Sequence, residues 1–292
     1  MGVYGGPNKV KGGIVFSLDG ANPASYAGDS PSPIGTDYGY WAGGEGPSPG
    51  PKVSTVDRVD YSSDTPTATT KGPLAAATNN TAATGNSSYG YIGSGGTYPP
   101  PTTVQRVDYS SDSSTAAPKG ALTSGRYRHA ATGNASYGYF GGGWDWPAPA
   151  ATYDEVDRID YSSDTSTAST RGDLPEPTKG AAGVGNADYG YFAGGESPYA
   201  SSQIFRVDYS SDLSAPTPKG SLALSRMDLA AASSLSYGYF CGGGPVPSVS
   251  DSSTVSRYDF SNDTGDAIIK SYIGARTREM SGVSATSNAN PQ

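Results

Sequence analysis

A seven-residue motif, Arg-x-Asp-(Tyr/Phe)-Ser-(Ser/Asn)-Asp, recurs five times in this chain of 292 residues and carries its most regularly spaced charged groups. In the first copy Asp60, Ser62 and Asp64 place oxygen atoms at alternate positions, an arrangement that could bind calcium. The motif lacks the sixth-position glycine and the downstream bidentate Glu of known calcium loops. A turn in which the Asp side chain caps backbone N–H groups is therefore the favoured interpretation, and calcium binding remains the alternative.

The Arg and the first Asp of each motif lie two residues apart, so in a strand they share one face. This pair recurs unchanged, whereas a ligand site would normally break the symmetry of a repeat. The sequence therefore favours a structural Arg–carboxylate network that links neighbouring units over an anion-binding site. The residues concerned are Arg58 and Asp60, Arg106 and Asp108, Arg158 and Asp160, Arg206 and Asp208, and Arg257 and Asp259.

Composition argues against several other kinds of site. The chain has one histidine, His129, and one cysteine, Cys241, too few for a poly-histidine or thiolate metal centre or for an internal disulfide, so we expect no metal and no cofactor. The net charge is −8 without any basic run, which argues against nucleic acid as a partner. The apolar run Ile14-Val15-Phe16 is too short for a membrane span, and no membrane insertion is expected.

A second motif, Tyr-Gly-Tyr followed by small residues, alternates with the first and divides the chain into units of about fifty residues. The interval from each Arg to the next Tyr-Gly-Tyr is constant at 31 residues, as from Arg58 to Tyr89. The interval from each Tyr-Gly-Tyr to the next Arg varies between 17 and 21 residues. Length variation is thus confined to one loop per unit, while packing fixes the rest.

Each unit contains four short segments with strand-like patterns, punctuated by Gly, Ser, Asn and Pro. In the third unit these segments are residues 129–134, 137–143, 156–161 and 165–174. Four antiparallel strands per repeat of this length are typical of a propeller blade. The sequence therefore predicts an all-β, five-bladed β-propeller of four-stranded antiparallel blades.

The two ends of the repeat region complement each other. Tyr38 lacks a preceding first strand, whereas residues 276–286 match a first strand with no Tyr-Gly-Tyr after them. We predict that this C-terminal strand completes the first blade and closes the ring, which removes the exposed sheet edges. The predicted domains are an N-terminal arm at 1–35, the propeller at 36–287 and a tail at 288–292.

The order of these motifs resembles the kelch repeat over residues 36–287: an Arg or Thr before the first strand, an aromatic second strand ending in Gly-Gly, and a third strand with Tyr and Asp. The outer strand lacks the usual Trp, so the resemblance concerns the fold. The sequence motifs R-V-D-Y-S-S-D-T and A-A-T-G-N-x-S-Y-G-Y-F-G-G-G resemble repeats in structural proteins of marine bacteriophages. The opening, residues 3–8 and 13–26, resembles the start of tail and virion proteins from such phages.

This resemblance implies a virion protein in which the arm at 1–35 binds other virion proteins and the propeller faces outward, for host-surface attachment or particle decoration as a tail fibre or capsid component. The first strands contain Ala, Gly and Thr but no acid, and a kelch-type copper oxidase would need at least two histidines. A non-enzymatic role is therefore expected. The alternative is a glycan-binding lectin or a glycan-modifying enzyme on the same scaffold.

The five variable loops should crowd one face of the propeller and carry any binding site. Aromatic side chains beside a carboxylate suit stacking on sugar rings or anchoring a host protein. The alternative is that Trp144 and Trp146 fold back over their own blade. The candidate binding residues are Trp144, Asp145, Trp146, Tyr98, Tyr153 and Tyr199.

Overall fold

The computed structural model describes residues 38–44, 51–60, 67–96, 98–145, 151–244 and 252–274. The predicted N-terminal arm, Trp146, the closing strand at 276–286 and the tail lie outside these residues. Within them no helix is both long enough and apolar enough to cross a membrane. The described residues form an all-β structure, apart from four single 3-10 turns.

Five antiparallel sheets follow one another along the chain. Their strands are β1 (Tyr38–Ala42), β2 (Val56–Asp60), β3 (Thr69–Thr70), β4 (Ala82–Gly85), β5 (Tyr89–Gly93), β6 (Val104–Asp108), β7 (Ala117–Pro118), β8 (Ala130–Gly133), β9 (Tyr137–Gly141), β10 (Val156–Asp160), β11 (Ser169–Thr170), β12 (Lys179–Gly185), β13 (Tyr189–Glu196), β14 (Gln203–Asp208), β15 (Thr217–Ser221), β16 (Ala230–Ser233), β17 (Tyr237–Cys241), β18 (Thr254–Asp259) and β19 (Ile268–Tyr272).

Blade 1 contains β1–β3, and each later blade contains four strands in sequential order: β4–β7, β8–β11, β12–β15 and β16–β19. The first strands of successive blades contact one another, β4 with β8, β8 with β12 and β12 with β16, and so surround a central axis. The prediction of an all-β, five-bladed propeller is confirmed. The strand predicted to complete blade 1 lies outside the described residues.

The two sequence motifs form adjacent strands in every blade. The second tyrosine of each Tyr-Gly-Tyr is paired with the arginine of the following motif, as in Tyr91 with Arg106. The intervening glycine leaves room for an aromatic ring, because a Cβ at Gly90 would lie 2.8 Å from the Tyr109 hydroxyl. The same register recurs in Tyr40 with Arg58, Tyr139 with Arg158, Tyr191 with Arg206 and Tyr239 with Arg257.

Neighbouring blades are joined by an ion pair. Arg106 in blade 2 donates to Asp164, the last residue of the motif in blade 3, with an Nη1–Oδ2 distance of 2.6 Å. The same carboxylate accepts a hydrogen bond from the Tyr91 hydroxyl (3.0 Å) and lies 3.1 Å from the Lys119 ammonium, both in blade 2. Burial alone would raise the pKa of Asp164, but these three partners lower it overall.

This ion pair repeats at the other described junctions, where Arg58 pairs with Asp112 (2.8 Å), Arg158 with Asp212 (2.8 Å) and Arg206 with Asp263 (2.6 Å). Aromatic stacking accompanies it: Tyr91 stacks on Tyr161 of the next blade with ring centroids 4.7 Å apart. Each guanidinium also lies over the first tyrosine of its own blade, 4.1 Å from the ring centroid for Arg106 over Tyr89. Arginine suits this position better than lysine, because its planar, weakly hydrated guanidinium can stack on a ring and pair with a carboxylate at the same time.

The structure therefore differs from the sequence analysis in the identity of the carboxylate. The arginines do link blades, but their partner is the seventh residue of the next motif, whereas the expected pair used the third residue of the same motif. The third residue has a local role: Asp108 Oδ1 accepts from the backbone N–H (3.0 Å) and the hydroxyl (2.7 Å) of Ser110 and caps a 3-10 turn. Asp160, Asp208 and Asp259 cap their turns in the same way. For Asp60 the matching turn lies outside the described residues.

A second buried ion pair ties the segment before the first strand of blade 3 to the third strand of that blade. Arg126 is fully buried, and its Nη2 lies 2.5 Å from Oδ2 of Asp157, which is also fully buried. In blade 5 the matching Arg226 is equally buried but bonds to neutral oxygens, among them Ser256 Oγ at 2.9 Å. Burial lowers the pKa of Arg226 to about 10.

The sequence repeat extends this pattern to the ring closure. Arg276 occupies the repeat position of Arg126, and Asp57, paired with Trp41 in the β1–β2 register, occupies the position of Asp157.

We expect Arg276 to pair with Asp57 if the C-terminal strand completes blade 1. In a double-mutant cycle of Asp57→Asn and Arg276→Gln, measured by urea unfolding, the coupling free energy should be about 1–3 kcal/mol. The cycle of Asp157→Asn and Arg126→Gln is the positive control, and additive effects at Asp57 and Arg276 would contradict the closure.

Just after the outer strand of blade 2, the chain approaches the turn of blade 3 very closely at a glycine. A Cβ at Gly120 would lie 1.8 Å from the carbonyl oxygen of Ser166, so Gly120→Ala must force the two blades apart. We expect a loss of about 2 kcal/mol or more in the free energy of unfolding. Gly274→Ala is the matched control, because a Cβ there meets no atom within 4 Å, and it should change stability by less than about 1 kcal/mol. If the two substitutions changed stability equally, the close approach of the two blades would not be the reason for glycine at position 120.

Candidate functional site

One end of the propeller carries both the variable loops, between second and third strands, and the connections between blades. We call this end the loop face, and the opposite end, with the remaining turns, the turn face. In blade 3 the Gly143 N–H donates to the Thr178 carbonyl (2.7 Å), and the Thr178 N–H donates to the Tyr153 carbonyl (2.9 Å). The variable loop is thus bonded to the connection that leads into blade 4.

Trp144 packs against the neighbouring blade. Its backbone pairs with Tyr127 on one side and Thr152 on the other. The Lys179 ammonium of blade 4 lies 4.4 Å from the centroid of the indole ring, and Lys179 in turn lies 3.7 Å from Glu196. The half-buried indole therefore contacts the next blade. The alternative that Trp144 and Trp146 fold back over their own blade stays a prediction, because Trp146 lies outside the described residues.

Asp145 braces the same loop from within. Its Oδ1 accepts from the Ala151 N–H (2.6 Å) and its Oδ2 from the Tyr153 hydroxyl (3.0 Å). Burial and this hydrogen bond raise the pKa of Tyr153. Asp145 and Tyr153 thus hold the loop in shape, while Trp146 lies outside the described residues.

Tyr98 and Tyr199 are the candidate residues that project furthest into solvent, with 64% and 72% of their surface exposed. Tyr98 interacts electrostatically with Tyr127, whose pKa is raised by burial and by this neighbour. Tyr199 lies beyond Glu196, and its carbonyl accepts from the Ser197 N–H (3.0 Å).

The backbone pairing of Tyr127 with Trp144, the contact of Trp144 with Lys179 and the Lys179–Glu196 pair form one path from blade 3 to blade 4. Tyr98 neighbours one end of this path, and Tyr199 lies in the turn at the other end. We call these residues together the aromatic stripe: Tyr98, Tyr127, Trp144, Lys179, Glu196 and Tyr199.

Three residues of the stripe, Tyr127, Lys179 and Glu196, are new relative to the sequence analysis. Tyr127 lies shortly before β8, Lys179 begins β12 and Glu196 ends β13. These segments belong to the regular part of the repeat, so their sequence indicates a structural role. Their symmetry-breaking identities were a usable signal, because the position of Lys179 is Asn79 in blade 2 and Met227 in blade 5. Their contacts could not be inferred, since they cross between blades.

A partial ring of backbone with positive φ, one residue from each of blades 2 to 5, lies at the loop-face end of the first strands, at the mouth of the channel between them. Asn80, Arg128 and Asp228 have φ values of 53°, 52° and 56°, and Gly180 completes the series at 67°. Backbone hydrogen bonds join them in order, from Arg128 N to Asn80 O (3.0 Å), from Gly180 N to Arg128 O (2.7 Å) and from Asp228 N to Gly180 O (2.7 Å). Positive φ at three non-glycine residues is uncommon.

An ion pair spans this mouth between blades 3 and 5. Arg128 Nε lies 2.8 Å and Nη2 2.5 Å from Asp228 Oδ1, and the Asp228 side chain is almost fully buried. The pair passes over blade 4 because position 180 is glycine: a Cβ there would lie 2.7 Å from Asp228 Oδ1. The arrangement clamps three blades and neutralises both charges at the mouth.

In the described part of the chain, no group of three or more His, Cys, Asp or Glu side chains is placed so that it could hold a metal ion. His129, beside the channel ring, is buried against Phe140, with ring centroids 5.8 Å apart. Burial and the neighbouring Arg126 charge lower the pKa of His129 to about 3. Cys241 is a buried free thiol whose pKa is raised by burial.

Comparison with known proteins supports the fold alone. No family model matches the chain, and no curated protein matches it. Among solved structures it is similar to the one described as "Structure of YjhT", with a TM-score of 0.58 and 11% sequence identity over 69% of this chain and 68% of that chain. The kelch-like and virion resemblances of the sequence stay predictions.

His129 should make stability depend on pH. Between its folded pKa of about 3 and the ordinary value near 6.5, only the unfolded chain binds the proton, so stability falls as pH falls across this window. We expect His129→Leu, which copies Leu229 in blade 5, to remove about 1 kcal/mol per pH unit of this dependence. Urea unfolding of both proteins at pH 7, 5.5 and 4 measures the difference, and parallel profiles would show that His129 does not titrate on unfolding.

Proposed function

We propose that this chain is a non-enzymatic structural protein of a bacteriophage particle, whose propeller faces outward and attaches to the host surface through the loop face. The proposal combines the sequence resemblance with one observation: a regular, ion-paired frame carries irregular loops from which Tyr98 and Tyr199 project. Rigid scaffolds with variable, aromatic loops on one face are typical of recognition proteins.

The chemistry of the stripe suits an amphipathic partner. Exposed tyrosines offer an apolar ring and a hydroxyl, so they can stack on a sugar ring or anchor a protein side chain. Between them Lys179 and Glu196 form a mutually neutralised pair, 3.7 Å apart, that can donate and accept hydrogen bonds without a net charge. A neutral or weakly charged host glycan, or a protein loop, is the partner that these groups favour.

The channel mouth supports a binding role over catalysis. A glycan hydrolase on this scaffold needs free carboxylates at the axis, but Asp228 is held in a bidentate pair by Arg128. The first strands of blades 2, 3 and 5 consist of Ala, Gly, Thr and Ser, and that of blade 4 adds Lys179 and Val184 but no acid. Attachment to the host would then use the periphery of the loop face. If the propeller binds no receptor, its role is to decorate the particle.

The N-terminal arm, residues 1–35, is proposed to join the propeller to other virion proteins. Its sequence is rich in Gly, Pro and Ser, and a segment of this composition gains order most readily from a partner. Mass spectrometry of purified particles would test this location directly, because a virion component must be present at a fixed copy number.

The loop face makes a specific prediction about attachment. Tyr98→Ala with Tyr199→Ala should weaken adsorption of particles to host cells by about 1–3 kcal/mol per anchor lost, with little change in melting temperature, since both rings are exposed. Leu213→Ala with Leu235→Ala is the matched control, because these exposed side chains belong to the turn face.

Adsorption that is unchanged by the tyrosine substitutions, together with reduced particle stability, would favour decoration over attachment. Release of oligosaccharides from host surface polysaccharide by the purified protein would contradict the non-enzymatic proposal and favour the glycan-modifying alternative.

A further inference from the structure

The buried arginine of blade 5 has no acidic partner among the described residues. Arg226 is 1% exposed. Its Nη1 donates to the carbonyls of Gly242 (2.9 Å) and Thr254 (3.1 Å) and to the Thr254 hydroxyl (2.9 Å), and its Nη2 donates to Ser256 Oγ (2.9 Å). All of these acceptors are neutral. The guanidinium has therefore lost its hydration without gaining a counter-charge, which is costly for a buried ion.

Blade 3 shows the same site with its counter-charge in place. Arg126 is equally buried, but its Nη2 pairs with the buried carboxylate of Asp157 (2.5 Å). That carboxylate also accepts from the N–H (3.1 Å) and the hydroxyl (2.7 Å) of Thr123. In blade 5 the positions of Asp157 and Thr123 are taken by Ser256 and Ala223. Both side chains are smaller, and neither carries a negative charge.

The same two positions are balanced in charge in the other blades from 2 to 4. Blades 2 and 4 combine two neutral side chains, and blade 3 combines an arginine with an aspartate. The pairs in blades 2 to 5 are Thr78 with Gln105, Arg126 with Asp157, Thr178 with Phe205, and Arg226 with Ser256, and all of these side chains are buried. Of these four pairs, only the last leaves a buried charge without compensation.

The charge of Arg226 persists at neutral pH. Burial lowers the pKa of Arg226 only to about 10, so the guanidinium stays protonated. Cys241 acts on it electrostatically, but burial raises the pKa of this thiol, so Cys241 stays neutral. Neither group removes the imbalance, and an anion from solution would do so.

We infer that Arg226 and Ser256 bind a small inorganic anion, such as chloride, at the position that the carboxylate of Asp157 takes in blade 3. Both residues have donors for it. Nη2 of Arg226 carries two N–H groups, of which one is directed to Ser256 Oγ, and the Ser256 hydroxyl has its own O–H to donate. Because Arg226 is 1% exposed and Ser256 is fully buried, only a small ion fits, and the carboxylate of a protein or a sugar acid is excluded. The site is internal to blade 5 and independent of the role proposed for the loop face.

Thermal unfolding of the full-length protein, at constant ionic strength with chloride exchanged for gluconate, tests the site. The wild-type melting temperature should rise by about 3 °C when chloride reaches roughly ten times its dissociation constant, and bromide should act in the same way. Ser256→Asp supplies the carboxylate that blade 3 has, so this variant should melt at the same temperature in both salts. Ser169→Asp is the matched control, because it adds the same charge on the exposed outer strand of blade 3, and it should respond as the wild type does.

An equal halide response of the wild type and Ser256→Asp would overturn the inference, because the ion would then act elsewhere. A wild-type melting temperature that is the same in chloride and gluconate would also overturn it.

Amide NMR of the wild type locates the ion without any substitution. On addition of chloride at constant ionic strength, the amide resonances of Ala223 and Ser256 should shift in a saturable way. The amides of Thr123 and Asp157 are the internal control and should not shift, because blade 3 has its own carboxylate. Equal shifts in the two blades, or unchanged resonances of Ala223 and Ser256, would overturn the inference.

Discussion

The carboxylate that ends the seven-residue motif is, in blades 2 to 5, the contact on which the propeller depends. Asp164, for example, accepts from Arg106 and Tyr91 and lies beside Lys119, all from the preceding blade. One acidic side chain therefore joins the second, third and outer strands of one blade to the turn of the next. A partly buried carboxylate is stable only while all these partners remain, so the geometry of the junction tolerates little variation.

This constraint accounts for the constant interval in the sequence. The residues from each motif to the next Tyr-Gly-Tyr include the turn with the shared carboxylate, the outer strand and the first strand, so an insertion there would misalign a junction. The loop between second and third strands supplies none of the residues of this ion pair. Its length is free to vary, which is why irregular aromatic residues collect on one face.

The sequence predicted the five blades and, in blade 3, the first three strands to within two residues, because alternation, glycines and turn residues are local signals. The outer strand, expected within 165–174, spans only Ser169–Thr170. The sequence also predicted that the arginines link blades. It missed the acidic partner because Asp60 and Arg58 share a strand face, which made the local pair the simpler choice. The carboxylate at the third position instead caps its own turn, as Asp108 does through Ser110, a local bond that competes with longer-range pairing.

The candidate site was harder to predict because its contacts join different blades. Trp144 was recognised by its residue type, but its position is fixed by Lys179 of the next blade, and no local pattern connects the two. The Arg128–Asp228 pair likewise needs glycine at position 180 and positive φ at both charged residues, which only the closed arrangement of three blades imposes. The repeat thus supplies a symmetric frame, and single substitutions at equivalent positions supply the asymmetry that a recognition surface requires.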